Sequence, residues 1–286
     1  MKKQHYVPQS YLKRFSTDGE HIWVYDKFTD QVRKSNIKDI ACESYFYDLP
    51  RTAVKADGDE QIVEKALSNI EGAFKTFFDK LITELSTRRK GKNSYQRMII
   101  HKRERMALAE YMAVQLLRTR EFRDSLSEAG RKLEEVFGEN PFEDEKLHHV
   151  IGFMADSETI LKLAAAMCCH IWVLGVNETG VPFYTSDNPV VKRHHAQHPF
   201  YGNGWLSPGT EAAFPLSSRH ILIMFESSYF GRIGRIAKQD GRAVPIRDSE
   251  KVYYYNRMQT SKSYRQVYSP DLDFTIAREF CKKYPH

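Results

Sequence analysis

The sequence of 286 residues lacks the features that mark several common protein classes. No apolar run approaches the roughly 18 residues that a membrane-spanning helix needs. There is no Gly-rich phosphate-binding loop and no internal repeat. Residues 1–5, Met-Lys-Lys-Gln-His, lack the apolar core of a secretory signal. We therefore expect a cytoplasmic protein with no membrane partner and no parallel nucleotide-binding sheet.

Cysteine is scarce as well. The four cysteines show neither the C-x-x-C spacing of a zinc site nor the density of a disulfide scaffold, so we expect them to be reduced and mostly buried. Charge is moderately one-sided, since 43 Lys and Arg face 37 Asp and Glu and give a net charge of +6. This excess favours a polyanionic partner, although a solvated surface explains it equally well.

The pattern of apolar residues predicts an α+β fold in one integrated domain over residues 1–286. Pro8 suits the first turn of a short helix, and residues 21–35 alternate like a β-hairpin. Apolar residues then recur at helical spacing, which predicts a central bundle of long helices. The predicted helices cover residues 59–85, 94–123, 125–137 and 156–169.

The composition changes near residue 170. Runs such as "HIWVLGVN", "AAFPLSSRHILIMF" and "KVYYYNR" are β-branched and aromatic, and Gly, Pro, Asn and Asp separate them. We therefore predict a C-terminal antiparallel sheet, closed by a helix over residues 271–283. The three sub-regions are then residues 1–50, 59–169 and 170–286.

His5 is the first candidate for chemistry. A histidine beside a helix start commonly serves only as a hydrogen-bonding group in the fold. Because imidazole titrates near neutrality, the alternative role is a general base or a metal ligand.

The second long helix places Gln115 and Arg118 on a face of otherwise apolar residues. A buried guanidinium is costly unless it is paired, so Arg118 needs either an acidic partner or an anionic ligand. Glu64 and Glu71, seven residues apart on the first long helix, project the same way. One of them can pair with Arg118 while the other stays free.

Asp187 lies in "YTSDNPV", where an extended stretch ends in a turn stiffened by Pro189. A carboxylate at a strand end either holds a tight turn or binds a metal and activates water.

The stretch "KRHHAQHP" combines basic residues with His194, His195 and His198, and aromatic residues follow it. Two histidines four apart form a metal face only on a helix, and the neighbouring Pro and Gly favour a loop. The alternative function of such a segment is nucleic-acid binding, in which basic residues pair with phosphates and aromatic residues stack on bases. The candidate nucleic-acid-binding residues are Lys192, Arg193, Tyr201 and Trp205.

Several separated motifs occur in an order typical of one bacterial group. They are "HYVPQSYLKRF", "IWVYDK", "IACESYFYD", "IVEKALSNIE", "QLLRTR" and "FYTSDNPVV". With them the chain resembles the domain of unknown function 4238 family through most of its length. The resemblance implies one integrated unit and brings no activity. It draws attention to His5, Tyr11, Asp26, Tyr47, Glu64, Glu71, Gln115, Arg118, Asp187 and Pro189.

A shorter likeness concerns only "HYVPQS", which is similar to the opening of His-Asn-His endonucleases. In those enzymes the histidine activates water beside a single metal, on a ββα scaffold with a downstream asparagine. Here a short helix and a hairpin follow instead, so we do not expect the endonuclease fold. Phosphodiester chemistry on another scaffold stays open.

One histidine, several carboxylates and an interior arginine together suggest a hydrolase, most plausibly a metal-assisted phosphodiesterase or nuclease acting on nucleic acid or a nucleotide. In this hypothesis His5, Gln115 and Arg118 are catalytic, with His5 taking a proton and Arg118 stabilising phosphate charge. A divalent cation would be held by Glu64, Glu71 and Asp187. The competing hypothesis is a non-catalytic nucleic-acid-binding or protein-interaction module, in which these residues form a buried structural network.

Overall fold

The computed structural model describes residues 3–49, 62–87, 98–196 and 204–284, and it confirms the predicted α+β class. The strands are β1 (Lys3–His5), β2 (His21–Asp26), β3 (Gln31–Asn36), β4 (Cys42–Ser44), β5 (His170–Asn177), β6 (Thr185–Ser186), β7 (Val191–His194), β8 (Thr210–Ser217), β9 (His220–Glu226), β10 (Arg242–Ile246) and β11 (Gln266–Ser269). The α-helices are α1 (Gln9–Leu12), α2 (Ile62–Ser86), α3 (Lys102–Leu117), α4 (Arg120–Phe137), α5 (Glu145–Leu147), α6 (Ser157–Cys168), α7 (Ser227–Phe230), α8 (Gly234–Ala237), α9 (Ser249–Lys262) and α10 (Thr275–Lys283). A π-helix spans His148–Met154.

The larger sheet has the strand order β10-β5-β9-β8-β7. Strands β5, β9, β8 and β7 pair antiparallel, as predicted, but β10 lies parallel to β5. The predicted antiparallel sheet thus has one additional parallel edge strand. Strand β10 follows β9 through α7 and α8 and joins the sheet on the other side of β5, so it runs antiparallel to the strand that it follows in the chain.

The second sheet has the order β3-β2-β11-β6 and joins the two ends of the chain. The predicted hairpin is confirmed, because β2 pairs with β3 from His21 opposite Asn36 to Asp26 opposite Gln31. On its other edge β2 pairs with β11, and β11 pairs with the short β6 next to Asp187. The N-terminal hairpin and the loop that carries Asp187 are thus held in one sheet.

The predicted helices over 94–123 and 125–137 have the wrong boundary. Helix α3 ends at Leu117, and α4 already begins at Arg120, because the Thr119 side chain caps it by accepting from Phe122 N at 3.2 Å. Residues 94–97 lie outside the described part of the chain. The predictions over 59–85 and 156–169 correspond to α2 and α6.

The segment "KVYYYNR" was predicted as a strand and is part of helix α9. Asp248 caps this helix by accepting from Glu250 N at 3.0 Å. Buried Val252, Tyr255 and Gln259 then recur at helical spacing against the sheet. Aromatic β-propensity was overridden by this cap and by packing. The closing helix, predicted from residue 271, begins at Thr275.

The main hydrophobic core lies between the helices and the larger sheet. Tyr11 of α1 stacks on Phe214 of β8 at a ring distance of 5.3 Å, and Phe78 of α2 contacts Tyr111 of α3 at 5.0 Å. The cysteines are free, as expected, but they are less buried than predicted, since Cys169 is exposed and the others are half-buried. Of the helices described, none is both long and apolar enough to span a membrane.

Candidate functional site

The N-terminal motif is inserted into the fold rather than lying on it. Strand β1 places His5 opposite Cys42 of β4, and Val7 and Pro8 are buried directly before α1. The Tyr11 hydroxyl then donates to the Pro215 carbonyl at 2.7 Å and lies 2.8 Å from Thr185 Oγ1. This segment is therefore fixed to both sheets and to the strand that precedes Asp187.

Arg118 is the centre of a buried polar network. Its side chain is 3% exposed and lies 2.8 Å from Glu71 Oε1, which confirms the predicted pairing with one of the two glutamates. The guanidinium also donates to the His5 carbonyl oxygen at 2.5 Å and, through Nε, to the Tyr47 hydroxyl at 3.3 Å. Burial disfavours the charged guanidinium, but Tyr47 and Glu71 more than offset this and raise the pKa of Arg118.

Three other predicted site residues lie around this network. Gln115 donates to the Tyr6 carbonyl at 3.0 Å. Burial lowers the pKa of His5. The charge of Glu71 opposes this shift, and the charge of Arg118 adds to it. Burial also raises the pKa of Glu64, with Arg118 opposing and Glu71 adding to the shift. The structure thus brings His5, Glu64, Glu71, Gln115 and Arg118 together.

The same group contains buried polar atoms that have no hydrogen-bond partner. They are His5 Nε2, Glu64 Oε2 and Gln115 Oε1. Glu64 thus has one carboxylate oxygen without a hydrogen-bond partner, whereas Glu71 pairs with Arg118. Buried groups of this kind normally bind a water, an ion or a ligand.

Asp187 has a different environment. Its two oxygens accept backbone N–H groups of Tyr264 at 2.8 Å, Arg265 at 2.7 Å and Gln266 at 2.7 Å. Burial raises the pKa of Asp187 to about 6, against the effect of these three hydrogen bonds and of Lys27. Asp187 therefore fixes the chain between α9 and β11, which is a turn-holding role.

Asp187 also lines a cavity of about 330 Å³ that Tyr6, Cys42 and Arg120 share. Arg120 is already paired there, with Glu43 Oε2 at 3.0 Å and Asp124 at 2.8 Å. The charge of this cavity is thus satisfied internally.

A much larger groove of about 910 Å³ opens between α9, α10 and β7. We name it the basic groove. Arg193, Arg257, Lys262 and Lys283 supply cations and Glu279 supplies one carboxylate, while aromatic side chains come from Tyr254, Phe280 and Tyr284. Among the residues described, the four cations form no salt bridge, and the Arg193 guanidinium lies 5.6 Å from the ring centre of Tyr254.

The predicted nucleic-acid residues are distributed over several environments. Arg193 lines the basic groove, while Lys192 lines an adjacent cavity with Lys262, which borders both. Trp205 is only 8% exposed and packs near His170, so most of its ring is covered, and its role in base stacking stays a prediction. Tyr201 and His198 lie outside the described residues.

Sequence reasoning missed Glu211 and Tyr254 beside the groove. His195 Nε2 lies 2.7 Å from Glu211 Oε2, and Glu211 also accepts from the hydroxyls of Tyr254 at 2.6 Å and Tyr255 at 2.9 Å. Glu211 is 4% exposed, whereas the His195 side chain is 31% exposed. The sequence gives little sign of this cluster, because Glu211 of β8 meets His195 and Tyr254 only in the tertiary structure. Its position is set by the pairing of β7 with β8, which places Glu211 opposite Arg193.

No group of three or more His, Cys, Asp or Glu side chains that could hold a metal is found in the described ranges. The cation role predicted for Glu64, Glu71 and Asp187 therefore stays a prediction. Glu64 and Glu71 lie around Arg118, whereas Asp187 is held by the backbone between α9 and β11.

Together these features define an α+β protein with a buried polar network around its N-terminal motif and a basic surface groove. The chain belongs to the DUF4238 family, described as "Protein of unknown function", whose model matches residues 3–273. Neither a curated protein nor a solved structure matches the chain.

Proposed function

We propose that this protein binds single-stranded nucleic acid in the basic groove. The observation that carries the proposal is that the groove cations form no salt bridge within the described part of the chain. Elsewhere the arginines that line a cavity are neutralised, as Arg120 is by Glu43 and Asp124 and Arg265 is by Asp26 at 2.8 Å. Cations that no carboxylate neutralises are available to phosphates.

The aromatic side chains of the groove support a single strand over a duplex. Tyr284 is 53% exposed, and its ring lies 5.0 Å from that of Phe280. Exposed rings next to cations stack unpaired bases while the cations follow the backbone. The bases of a duplex are already stacked on each other and offer no free face. The net charge of +6 favours the same partner.

Fluorescence anisotropy with a labelled single-stranded RNA or DNA of about 15 nucleotides tests the proposal. We expect log K to fall with log salt at a slope of about −3, since each of four phosphate contacts contributes about −0.7. The double variant Arg257→Glu/Lys283→Glu should weaken binding at least about tenfold. Arg131→Glu/Arg232→Glu changes the net charge equally on exposed residues outside the groove and should retain affinity. Equal losses in both variants, or no binding by the wild type, would refute the proposal.

A metal-assisted phosphodiesterase centred on His5 is the second candidate. The buried atoms of His5, Glu64 and Gln115 that have no hydrogen-bond partner among the described residues favour it, because they lie around one cation, Arg118. Against it, the Arg118 side chain is nearly inaccessible and already paired with Glu71, so it is poorly placed to reach an external phosphate. We therefore rank groove binding first and assign the Arg118 network a structural role.

A further inference from the structure

We propose that His195 is a general base that cleaves RNA bound in the basic groove, and that buried Glu211 orients it. This inference rests on the proposed binding function and names its substrate class as single-stranded RNA. It starts from a contact beside the groove, where partly exposed His195 lies 2.7 Å from Glu211, a carboxylate that forms no salt bridge with a lysine or arginine among the described residues.

The hydrogen bonds fix the orientation of the His195 ring. Glu211 Oε1 accepts from Tyr255, and Oε2 accepts from Tyr254. The same Oε2 atom lies 2.7 Å from His195 Nε2, so the carboxylate favours the tautomer with its proton on that nitrogen. Nδ1 then carries the lone pair, and no hydrogen-bond partner of Nδ1 is found among the described residues.

The position of the ring relates it to the bound strand. Tyr254 lines the groove, and its hydroxyl lies 3.3 Å from His195 Nε2. Arg193, two residues before His195, lies over the Tyr254 ring and lines the same groove. His195 and Arg193 thus contact the same side chain, Tyr254, one at its hydroxyl and the other at its ring. In the proposal a phosphate held by Arg193 reaches the imidazole, and the guanidinium offsets the negative charge that develops on that phosphate.

RNA is a suitable substrate for a general base beside a cation, because RNA carries its own nucleophile. The ribose 2′-hydroxyl gives its proton to His195 Nδ1 while its oxygen bonds to phosphorus, and the bond between phosphorus and the 5′-oxygen breaks. The leaving 5′-oxygen takes a proton from water, and the imidazolium returns its proton to the solvent. The products are a 2′,3′-cyclic phosphate end and a 5′-hydroxyl end, with no net consumption of water. DNA lacks the 2′-hydroxyl, so it is bound but not cut.

The experiment uses the full chain, an end-labelled single-stranded RNA and a DNA of the same sequence, in buffer with EDTA. Gel electrophoresis measures the single-turnover rate at saturating protein, mass spectrometry identifies the ends, and anisotropy measures Kd. We expect RNA-only cleavage with cyclic phosphate ends. His195→Gln should reduce the rate at least about 100-fold while Kd changes less than about twofold. His148→Gln, a histidine away from the groove, is the matched control and should keep the wild-type rate.

Glu211→Gln tests the orienting role. We expect a loss of about tenfold or more in the saturating rate with Kd unchanged, a split that a general loss of folded protein would not give. If this buried variant does not fold, His195→Gln decides alone, because His195 lies at the surface.

The possible failures are distinguishable. Wild-type protein that binds RNA but does not cut it, or that cuts only without EDTA, overturns the His195 proposal and leaves groove binding intact. Cleavage that persists in His195→Gln also overturns it. Binding of the DNA but not of the RNA overturns the His195 proposal alone, whereas absence of binding to both strands overturns both proposals.

Discussion

The Arg118 guanidinium lies 2.8 Å from Glu71 in the protein interior and donates at the same time to the His5 carbonyl oxygen. One side chain thus joins helix α2, the end of helix α3 and the first strand. The Tyr47 hydroxyl completes the junction by donating to the Arg118 carbonyl at 3.0 Å. This relationship explains why a polar motif stands so close to the start of the chain, since its backbone is the acceptor that the buried cation needs.

Arg118→Met should therefore act mainly on stability. It removes the donor of the Glu71 carboxylate and the nearer of two donors of the His5 carbonyl, and we expect a loss of about 3 kcal/mol in the free energy of unfolding. Glu71→Gln should cost less, about 1 to 2 kcal/mol, because Glu71 is 25% exposed and glutamine keeps an acceptor oxygen. Urea unfolding measures both. An Arg118→Met protein of wild-type stability that has lost an activity would instead indicate a catalytic arginine.

Asp187→Asn should loosen the chain between α9 and β11. Asparagine has one acceptor oxygen where the carboxylate uses two for three backbone N–H groups, so we expect a loss of about 1 to 3 kcal/mol at neutral pH. Hydrogen exchange should be faster at the amides of Tyr264, Arg265 and Gln266, and unchanged in α6, which serves as the internal control. Unaltered exchange at those three amides would contradict the turn-holding role.

His149 makes the stability of the fold depend on pH. It is buried, Arg123 Nε donates to its Nδ1 at 3.1 Å, and its Nε2 lies 2.6 Å from the Leu117 carbonyl oxygen. Burial and the charge of Arg123 lower the pKa of His149 to about 4. The folded state therefore binds fewer protons than the unfolded state, so the stabilisation is complete above about pH 6.5 and is lost as the pH falls toward 4.

We expect the unfolding free energy of wild type to fall in this window by up to about 1.4 kcal/mol per pH unit for His149. Burial and the charge of Arg219 lower the pKa of His220 to about 4, so His220 also makes the unfolding free energy fall as the pH falls. Burial raises the pKa of Asp187 to about 6, so Asp187 changes the unfolding free energy in the opposite direction. In His149→Gln the slope of the unfolding free energy against pH, between pH 6.5 and 4, should be smaller by the contribution of one proton. Chemical denaturation at several pH values measures it, and an unchanged slope would show that His149 is not the titrating group.

The fold class followed from local patterns in the sequence. The errors in individual elements have both local and long-range causes. Apolar periodicity located α2 and α6, and alternation located the hairpin of β2 and β3. Thr119 was overlooked because it lies between two arginines in a stretch whose apolar periodicity continues on both sides, although its hydroxyl caps α4 directly after α3 ends. The parallel pairing of β10 depends on contacts distant in sequence, which periodicity does not contain.

The candidate site was predictable where the argument was the free-energy cost of burying an unpaired charge. A guanidinium on an apolar face required a carboxylate, and Glu71 supplies it. The basic groove was not predictable from spacing, because Arg193, Arg257 and Lys283 come from three elements that meet only in the tertiary structure. Trp205 shows the converse limit, since an aromatic residue in a basic loop segment has the same sequence signature whether it is buried or free to stack.

Glu64 decides between a structural network and a cation site at the N-terminal motif. Its Oε2 atom is buried without a partner, and burial raises its pKa. If nothing binds there, Glu64→Gln removes an uncompensated charge and should leave the melting temperature unchanged or raise it, by the equivalent of at most about 1 kcal/mol. Addition of Mn²⁺ or Mg²⁺ should then leave the thermal midpoint of wild type unchanged and that of the variant unchanged as well. A midpoint that rises with the ion in wild type, and does not rise in Glu64→Gln or in His5→Ala, would establish a divalent cation held at this motif and return the phosphodiesterase hypothesis to first place. Glu84→Gln, on the same helix but twenty residues further along, is the matched control for the loss of one carboxylate.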